Sequence, residues 1–361
     1  MAGLRFRGRR RDALGAFDLG GFHLPAGKRL LAAEGLALQA GERRLHVGGP
    51  GDGPGQFNRP NGIATFGDLL FVVERDNHRV QVLRLPGFEP LAIVGADVLR
   101  SPYGLWLNPQ ADGSLEMLVT DSFMADYRTE TLPPMEELDE RVKRFRLRTA
   151  ADGTLAAEFL GAFGDTTDEG ALRMVESIAG DPRHDRLLIA EEDVRVGTTL
   201  RVYDLAGTYR GQNLPRERFK AQAEGVALFA CDDGSGYWLT TDQNSDLTVF
   251  HVFDRRELGY LGSFTGATTA LTDGIWLHAS ASEPSRSMAR QALIFTATLK
   301  PSRAASSAEA GLIDTCAPAS AGSSTLKRPG ASPAASHPAS IAPPILPQPM
   351  MRRWVMRGGV S

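Results

Sequence analysis

The sequence predicts an all-β protein, a six-bladed β-propeller, and this prediction comes from three observations. Five short pieces recur at intervals of 42, 73, 48 and 49 residues, each with a polar residue, a Gly or Ser and then an apolar run. Each piece is followed by an apolar strand that ends in an acid and by a second strand of alternating character. Long helical periodicity is absent, and repeats of this period are typical of propellers. The small residues of the five pieces are Gly62, Gly104, Ser177, Gly225 and Gly274.

The long interval and the two ends of the chain depart from the repeat. The segment "FMADYRTETLPPMEELDE" (123–140) has a Pro pair and many acids, which predicts an inserted surface loop. Residues 46–298 form the predicted propeller, with five readable blades. Residues 1–45 lack strand alternation and predict a divergent or incomplete first blade. Residues 299–361 are rich in Ala, Ser and Pro, which predicts a disordered tail.

The last blade breaks off after "QALIFTATLKPSR", where one more strand is expected. Back-translation from the Phe295 codon allows a different frame that continues the blade, so one hypothesis is a frame change near this residue. The alternative is a genuine disordered tail. Closure of the propeller depends on which of the two is correct.

Composition limits the classes of partner. The 361 residues carry a formal net charge of -3, which argues against general nucleic-acid affinity. No apolar run approaches the roughly 18 residues needed to span a bilayer. The basic start of the chain has no apolar stretch after it, so it does not predict a secretion signal, and localisation is left undetermined. We expect a monomer with a small-molecule ligand.

Carboxylates gather where the blade geometry places one mouth of the central channel. In antiparallel neighbours, the residue that begins the first strand and the residue that ends the second lie at the same end. Acids crowded there repel one another unless cations lie among them, and a flexible ring of oxygen ligands suits Ca²⁺. The alternative is that each acid only accepts hydrogen bonds from a neighbouring turn. The first-strand residues are Asn61, Tyr103, Glu176, Glu224 and Asp273, and the second-strand acids are Glu74, Asp76, Asp121, Glu191 and Asp242.

Two stretches resemble known families. "GGPGDGPGQFNRPNGIATFGDLLFVVERDNHRVQVLRL" is similar to an NHL repeat, and the later half resembles β-propeller phytases through "LLIAEEDVRVGTTLRVYDL", "AEGVALFACDDGSGYWLTTDQNSDLTVFHVFDR" and "TDGIWL". The resemblance covers about residues 45–298. It implies six blades and a calcium-dependent, 3-phytase-like hydrolase of phosphate monoesters such as phytate. We therefore expect Glu191 and Glu224 as catalytic residues, and as Ca²⁺ ligands Glu191, Glu192, Glu224, Asp242 and Asp273.

The sequence also departs from the phytase pattern, which keeps two alternatives open. Gln222 replaces an acid two residues before Glu224, and the family's early motifs are missing. One alternative is a non-catalytic NHL-type binding scaffold. The other is a calcium-dependent lactonase, for which Asn61 and Asn244 are the candidate amides. For a phosphate ester, the cations expected near the mouth are Arg59, Arg173 and Lys220.

Overall fold

Four antiparallel sheets of four strands follow one another along the chain in the computed structural model. The structure describes residues 17–18, 46–265, 269–281, 290–297 and 313–314. Four short strands precede the first sheet; β1 pairs antiparallel with β2, and β3 pairs parallel with β4. They are β1 (Phe17–Asp18), β2 (His46–Val47), β3 (Gly49–Pro50) and β4 (Gln56–Phe57).

The four sheets, which we name blades one to four, each use consecutive strands in sequence order. Blade one contains β5 (Pro60–Phe66), β6 (Leu69–Glu74), β7 (Arg79–Arg84) and β8 (Glu89–Val94). Blade two contains β9 (Pro102–Pro109), β10 (Leu115–Asp121), β11 (Val142–Thr149) and β12 (Leu155–Phe163). Blade three contains β13 (Val175–Asp181), β14 (Arg186–Glu191), β15 (Thr199–Tyr203) and β16 (Tyr209–Asn213). Blade four contains β17 (Ala223–Ala230), β18 (Gly236–Asp242), β19 (Val249–Asp254) and β20 (Tyr260–Thr265).

A fifth sheet has three strands, β21 (Gly274–Ala281), β22 (Arg290–Ala297) and β23 (Ile313–Asp314). Within the described part of the chain, three 3-10 helices lie in the connections: Met135–Glu140, Pro182–His184 and Arg216–Arg218. The first of them belongs to the predicted surface loop 123–140, which joins β10 to β11. β23 falls inside segment 299–361, the predicted disordered tail, and the rest of that segment lies outside the described residues.

The first strands of successive sheets contact one another, β5 with β9, β9 with β13, β13 with β17 and β17 with β21. The outermost strand of blade two, β12, is mostly exposed. This radial order confirms the predicted all-β propeller. The predicted six blades are not reached: the described residues contain four complete blades and one three-stranded sheet. Most of the predicted first blade, residues 1–45, lies outside the described residues.

The hydrophobic core lies between the blades. Successive side chains of a strand point to opposite faces, so the second strand of each blade packs against two neighbours and reads as a continuous apolar run. In β10, Met117 packs with Phe71 of blade one, whereas Leu118 packs with Ile189 of blade three. Burying one such side chain contributes about 1.5–3 kcal/mol, so the stacking of the blades stabilises the fold.

Two buried arginines join neighbouring blades. The guanidinium of Arg141 donates to the carbonyl oxygens of Asp121 (3.0 Å), Leu172 (2.9 Å) and Arg173 (2.7 Å). Arg255 forms a bidentate pair with Asp181, with both N–H···O distances 2.7 Å. These bonds link blade two to three near the channel mouth, and blade three to four at the opposite end of the blades.

Candidate metal centre

A β-bulge occurs near the start of the first strand in each of the four blades. The pairing register of β5, β9, β13 and β17 with its second strand shifts there, so that two residues oppose one. A bulge bends the strand and redirects the side chain of the extra residue. The redirected residues are those the sequence placed at the mouth: Asn61, Tyr103, Glu176 and Glu224.

Glycines in these bulges allow adjacent blades to approach closely. A Cβ atom on Gly62 would lie 2.5 Å from the carbonyl oxygen of Tyr103, and one on Gly104 would lie 2.8 Å from that of Glu176. The hydroxyl of Thr120 accepts from the N–H of Gly104 at 2.7 Å and contacts the carbonyl oxygen of Glu176 at 2.6 Å. The bulge residues of neighbouring blades therefore lie backbone against backbone in an arc, which we call the ring.

Three glutamates converge here, two from the ring and Glu192 from the tip of the β14–β15 hairpin. Glu176, Glu192 and Glu224 each offer a carboxylate oxygen, and these oxygens lie within 4.8 Å of one another. Glu176 is 3% exposed and Glu224 is 4% exposed. Burial raises the pKa of both carboxyl groups well above the usual range, and the charge of each neighbouring carboxylate raises it further. Burial also raises the pKa of Glu192.

One oxygen of this group is unsatisfied. The Oε2 atom of Glu224 is buried and has no hydrogen-bond partner within the part of the chain that the structure describes. Leaving a buried acceptor unpaired costs about 1–3 kcal/mol, and more for a charged group. An orphaned oxygen that belongs to a cluster of acids is the arrangement expected of an oxygen-ligand cation site.

Amide and phenol groups surround the acids. The side-chain amide of Gln222 donates to Glu192 Oε2 at 2.7 Å, and that of Gln243 donates to Asp273 Oδ1. Burial raises the pKa of Tyr103, and the charges of Glu176 and Glu224 raise it further, so this phenol keeps its proton. Gln222, which stands where the phytase pattern has an acid, therefore anchors one carboxylate of the cluster.

The three acids at the tip of the β14–β15 hairpin have three different environments. Glu191 accepts hydrogen bonds from the backbone N–H of Arg173, of Met174 at 3.1 Å and of Asp193 at 3.0 Å. Glu192 joins the cluster. Asp193 forms an ion pair with Arg195 at 2.7 Å. Glu191 is the last residue of β14, and Glu192, the first residue beyond it, is the one that meets Glu176.

The acid that ends the second strand has the same role in the other blades. Glu74 accepts from the N–H of Asn58 at 3.0 Å, Asp121 from Arg100 at 3.0 Å, and Asp242 from Lys220 at 2.8 Å. Each of these acids holds the loop that leads into its own first strand. The structure therefore places Glu191 and Asp242 as loop supports, whereas Glu192 and Glu224 lie in the cluster and Asp273 is linked to Gln243.

The three predicted substrate-binding cations have different surroundings. Arg173 is buried and pairs with Asp168 at 2.8 Å. Arg59 is exposed, with a positive φ of 53°. Lys220 is exposed and lines a cavity beside Asp242.

Glu176 was placed at the mouth by sequence reasoning but was not among the predicted ligands. The signal that identifies it is positional. It is the blade-three counterpart of Glu224, one residue before the small residue of the repeat.

Comparison with known proteins supports the repeat. Residues 57–83 match the family model of the NHL repeat, and this segment runs from β4 into β7. No curated protein matches the chain significantly.

No helix among the described residues is long and apolar enough to cross a membrane.

Solved structures are similar only at low identity. A chain of a nidogen/laminin complex is 14% identical with a TM-score of 0.38, and the match covers 66% of this chain and 75% of that one. Chaetomium thermophilum Raptor is 12% identical with a TM-score of 0.43, over 66% of this chain and 19% of Raptor. The Dos1 propeller is 11% identical with a TM-score of 0.35, over 67% and 56%. The fold assignment therefore rests on the sheets themselves.

Proposed function

We propose that this β-propeller with its NHL repeat binds Ca²⁺ at the channel mouth and hydrolyses phosphate monoesters there. The observation that carries the proposal is the unpartnered, buried Oε2 of Glu224 within a group of carboxylate oxygens no more than 4.8 Å apart. Such a group repels itself when ionised, and a bound cation removes the repulsion. A phytate-like ester is the proposed substrate, and six blades remain the proposed complete architecture.

The donor set fits a hard cation. Ca²⁺ takes six to eight oxygen ligands and tolerates irregular geometry, and the cluster offers oxygens only. Glu176, Glu192 and Glu224 would hold the ion, with Asp273 beside them. Glu176 is an addition to the ligands expected from the sequence. Glu191 and Asp242, whose oxygens accept backbone N–H groups, would support the ligand loops.

Residues of this chain would divide the remaining work. A bound Ca²⁺ supplies charge neutralisation and polarises a coordinated oxygen, which makes an attacking water more acidic. Glu224 would orient that water with its carboxylate group and accept its proton. Tyr103 would donate a hydrogen bond from its protonated phenol. Gln222 fixes the carboxylate of Glu192, and Gln243 fixes that of Asp273.

The three proposed substrate-binding cations differ in whether they are free to contact the substrate. Arg59 and Lys220 are exposed and can reach a phosphate group near the surface. Arg173 is committed to Asp168, so a contact with substrate would require that pair to open.

A non-catalytic binding scaffold is the second candidate function. The NHL match at residues 57–83 and the neutral Gln222 favour it. A lactonase is supported by one of its two candidate amides. The Nδ2 atom of Asn61 is buried and has no hydrogen-bond partner among the described residues, whereas the amide of Asn244 donates to the carbonyl oxygen of Asp242.

One set of assays separates these functions. Inositol hexakisphosphate, an aryl phosphate and a lactone are each incubated with the protein in Ca²⁺ or in chelator. Phosphate release that requires Ca²⁺ and is lost in Glu176→Gln and Glu224→Gln supports the proposal. Glu158→Gln, at an exposed position on β12, is the matched control. Hydrolysis of the lactone alone, or of none of the three, contradicts the phosphatase proposal.

Binding is measured separately from catalysis. A ligand that binds only the folded state raises its stability by about 2.7 kcal/mol at a concentration of 100 times the Kd. Thermal unfolding of the parent should therefore shift upward in Ca²⁺, and the shift should shrink in Glu176→Gln and Glu224→Gln. If Ca²⁺ does not raise the unfolding temperature of the parent, the proposed metal site is refuted, whatever the activity assays show.

A further inference from the structure

Blade four contains a cavity at the loop that joins β18 to β19. Its volume is about 370 Å³. Gln243 of this loop contacts Asp273 in the ring, whereas the following residues line the cavity. The polar residues of its lining are Arg218, Lys220, Asp242, Asn244, Ser245, Asp246 and His251.

A buried histidine without hydrogen bonds lines this cavity. His251 is 4% exposed, and neither Nδ1 nor Nε2 has a hydrogen-bond partner among the described residues. The rings of Phe219 and Tyr260 meet the imidazole edge-on, with centroids 5.1 and 6.0 Å away. Asp242 Oδ2 lies 3.8 Å from Nε2, which is beyond hydrogen-bond length. A fixed imidazole with unmade bonds indicates a polar group that completes them.

Two cations stand at the opening of the cavity. Arg218 and Lys220 are exposed, and neither side chain forms an ion pair within the described part of the chain. The guanidinium carbon of Arg218 lies 4.1 Å from the ring centroid of Tyr260, and this contact orients it. A ligand that meets Arg, Lys and His together is an oxyanion, because all three donate hydrogen bonds to it.

The two aspartates that line the cavity, Asp242 and Asp246, would repel a bound anion to different extents. Both oxygens of Asp242 accept backbone N–H groups, from Lys220 and Ala221 at 2.8 Å each. These bonds, with His251, lower the pKa of Asp242 although burial raises it, so its charge is satisfied inside the protein. Asp246 is exposed to solvent.

We infer that this cavity binds a phosphate group through Arg218, Lys220 and His251, at a site separate from the acidic ring. The group is either free phosphate or the phosphate of an ester. The inference does not rest on the acidic ring, because none of the three residues belongs to it, but it assigns Lys220, also proposed as a substrate-binding cation of the hydrolase, to this cavity.

The test measures binding of inorganic phosphate and of phenyl phosphate by calorimetry in chelator, so that Ca²⁺ has no part in it. We expect one site per chain, weakened about tenfold in Lys220→Met and in Arg218→Met, since one charge-assisted hydrogen bond is lost in each. Arg216→Met, two positions from Arg218 in the same 3-10 helix, should bind like the parent. His251→Gln should also bind more weakly, with thermal unfolding recorded to confirm its fold.

The outcomes distinguish this site from the channel mouth. Binding of inorganic phosphate that competes with the ester indicates a site for the free ion, and binding of the ester alone indicates an ester site; both support the inference. No saturable binding of either probe up to about 10 mM, far above a useful affinity, overturns it. So does binding that Lys220→Met and Arg218→Met leave unchanged but Glu224→Gln abolishes. The Ca²⁺-dependent shift in unfolding temperature is independent of all of these results.

Discussion

Replacing Glu191 by Gln should destabilise the protein, whereas the same replacement at Glu224 should not. Both side chains are buried at the mouth, yet their partners differ. Glu191 accepts three backbone N–H groups, from Arg173, Met174 and Asp193. A glutamine there places an NH₂ group against these donors. Burial raises the pKa of both carboxyl groups, but Oε2 of Glu224 has no partner, so an amide there displaces no backbone donor.

The size of the Glu191 effect follows from these bonds. A hydrogen bond to a charged group contributes about 1.5–3 kcal/mol, and a buried donor left unpaired costs about 1–3 kcal/mol. The substitution removes at least one acceptor, so we expect a loss of about 3 kcal/mol of unfolding free energy. In a domain of this size that corresponds to a fall of about 6–12 °C in unfolding temperature.

Thermal unfolding followed by circular dichroism, in chelator at neutral pH, measures the difference. The comparison includes the parent, Glu191→Gln, Glu224→Gln and the exposed control Glu158→Gln. Glu224→Gln should unfold at or above the parent temperature. Equal shifts in the two buried variants, or an unshifted Glu191→Gln, would refute the assignment of Glu191 to loop support and Glu224 to the cluster.

Three further predictions follow from the same structure. Ca²⁺ binding should release protons, because burial and neighbouring charges raise the pKa of Glu176 and Glu224, and a carboxyl group must lose its proton to bind the ion. Equal heats of binding in two buffers of different ionisation enthalpy would contradict this prediction. Asp181→Asn should lower the unfolding temperature at neutral pH. Burial raises the pKa of Asp181, but its bonds to Arg255 and His184 lower the pKa overall. The stabilisation is therefore present above the usual pKa of an aspartate and is lost as the pH falls through the lowered pKa. A difference in unfolding temperature between parent and variant that persists in strong acid would disprove this prediction. A chain with a restored reading frame after Phe295 should melt higher than this one, since a fourth strand would cover an open sheet edge, and equal melting temperatures would count against the frame change.

The repeat and the strands could be predicted because burial on both faces leaves a strong pattern. The second strands β6, β10, β14 and β18 are covered by neighbouring blades and read as apolar runs. The same geometry correctly placed the start of the first strand opposite the end of the second, as in the pairs Val175–Glu191 and Ala223–Asp242. The number of blades was harder to predict, because it depends on residues 1–45 and 299–361, which lack this strand pattern.

The candidate site was harder to predict because it depends on register. Glu191 and Glu192 are adjacent acids, and only the pairing of β14 with β13 decides which one faces Glu176. The bulge after Val175 changes that parity locally, and no residue type announces it. The hydrogen bonds from Met174 and Asp193 to Glu191 are likewise a property of the folded loop, so sequence reasoning left both roles open for this acid.

The glycines between the ring residues separate two properties of the mouth. Gly62 and Gly104 determine how near one blade comes to the next, because any side chain there would meet a carbonyl oxygen of the neighbour. They contribute no functional group. The adjacent positions, Asn61 and Tyr103, contribute the functional groups without setting the spacing. The width of the channel and its ligand preference are therefore determined by different positions. Exchanging the residue beside the glycine in each blade would change the ligand that the mouth binds without changing its width.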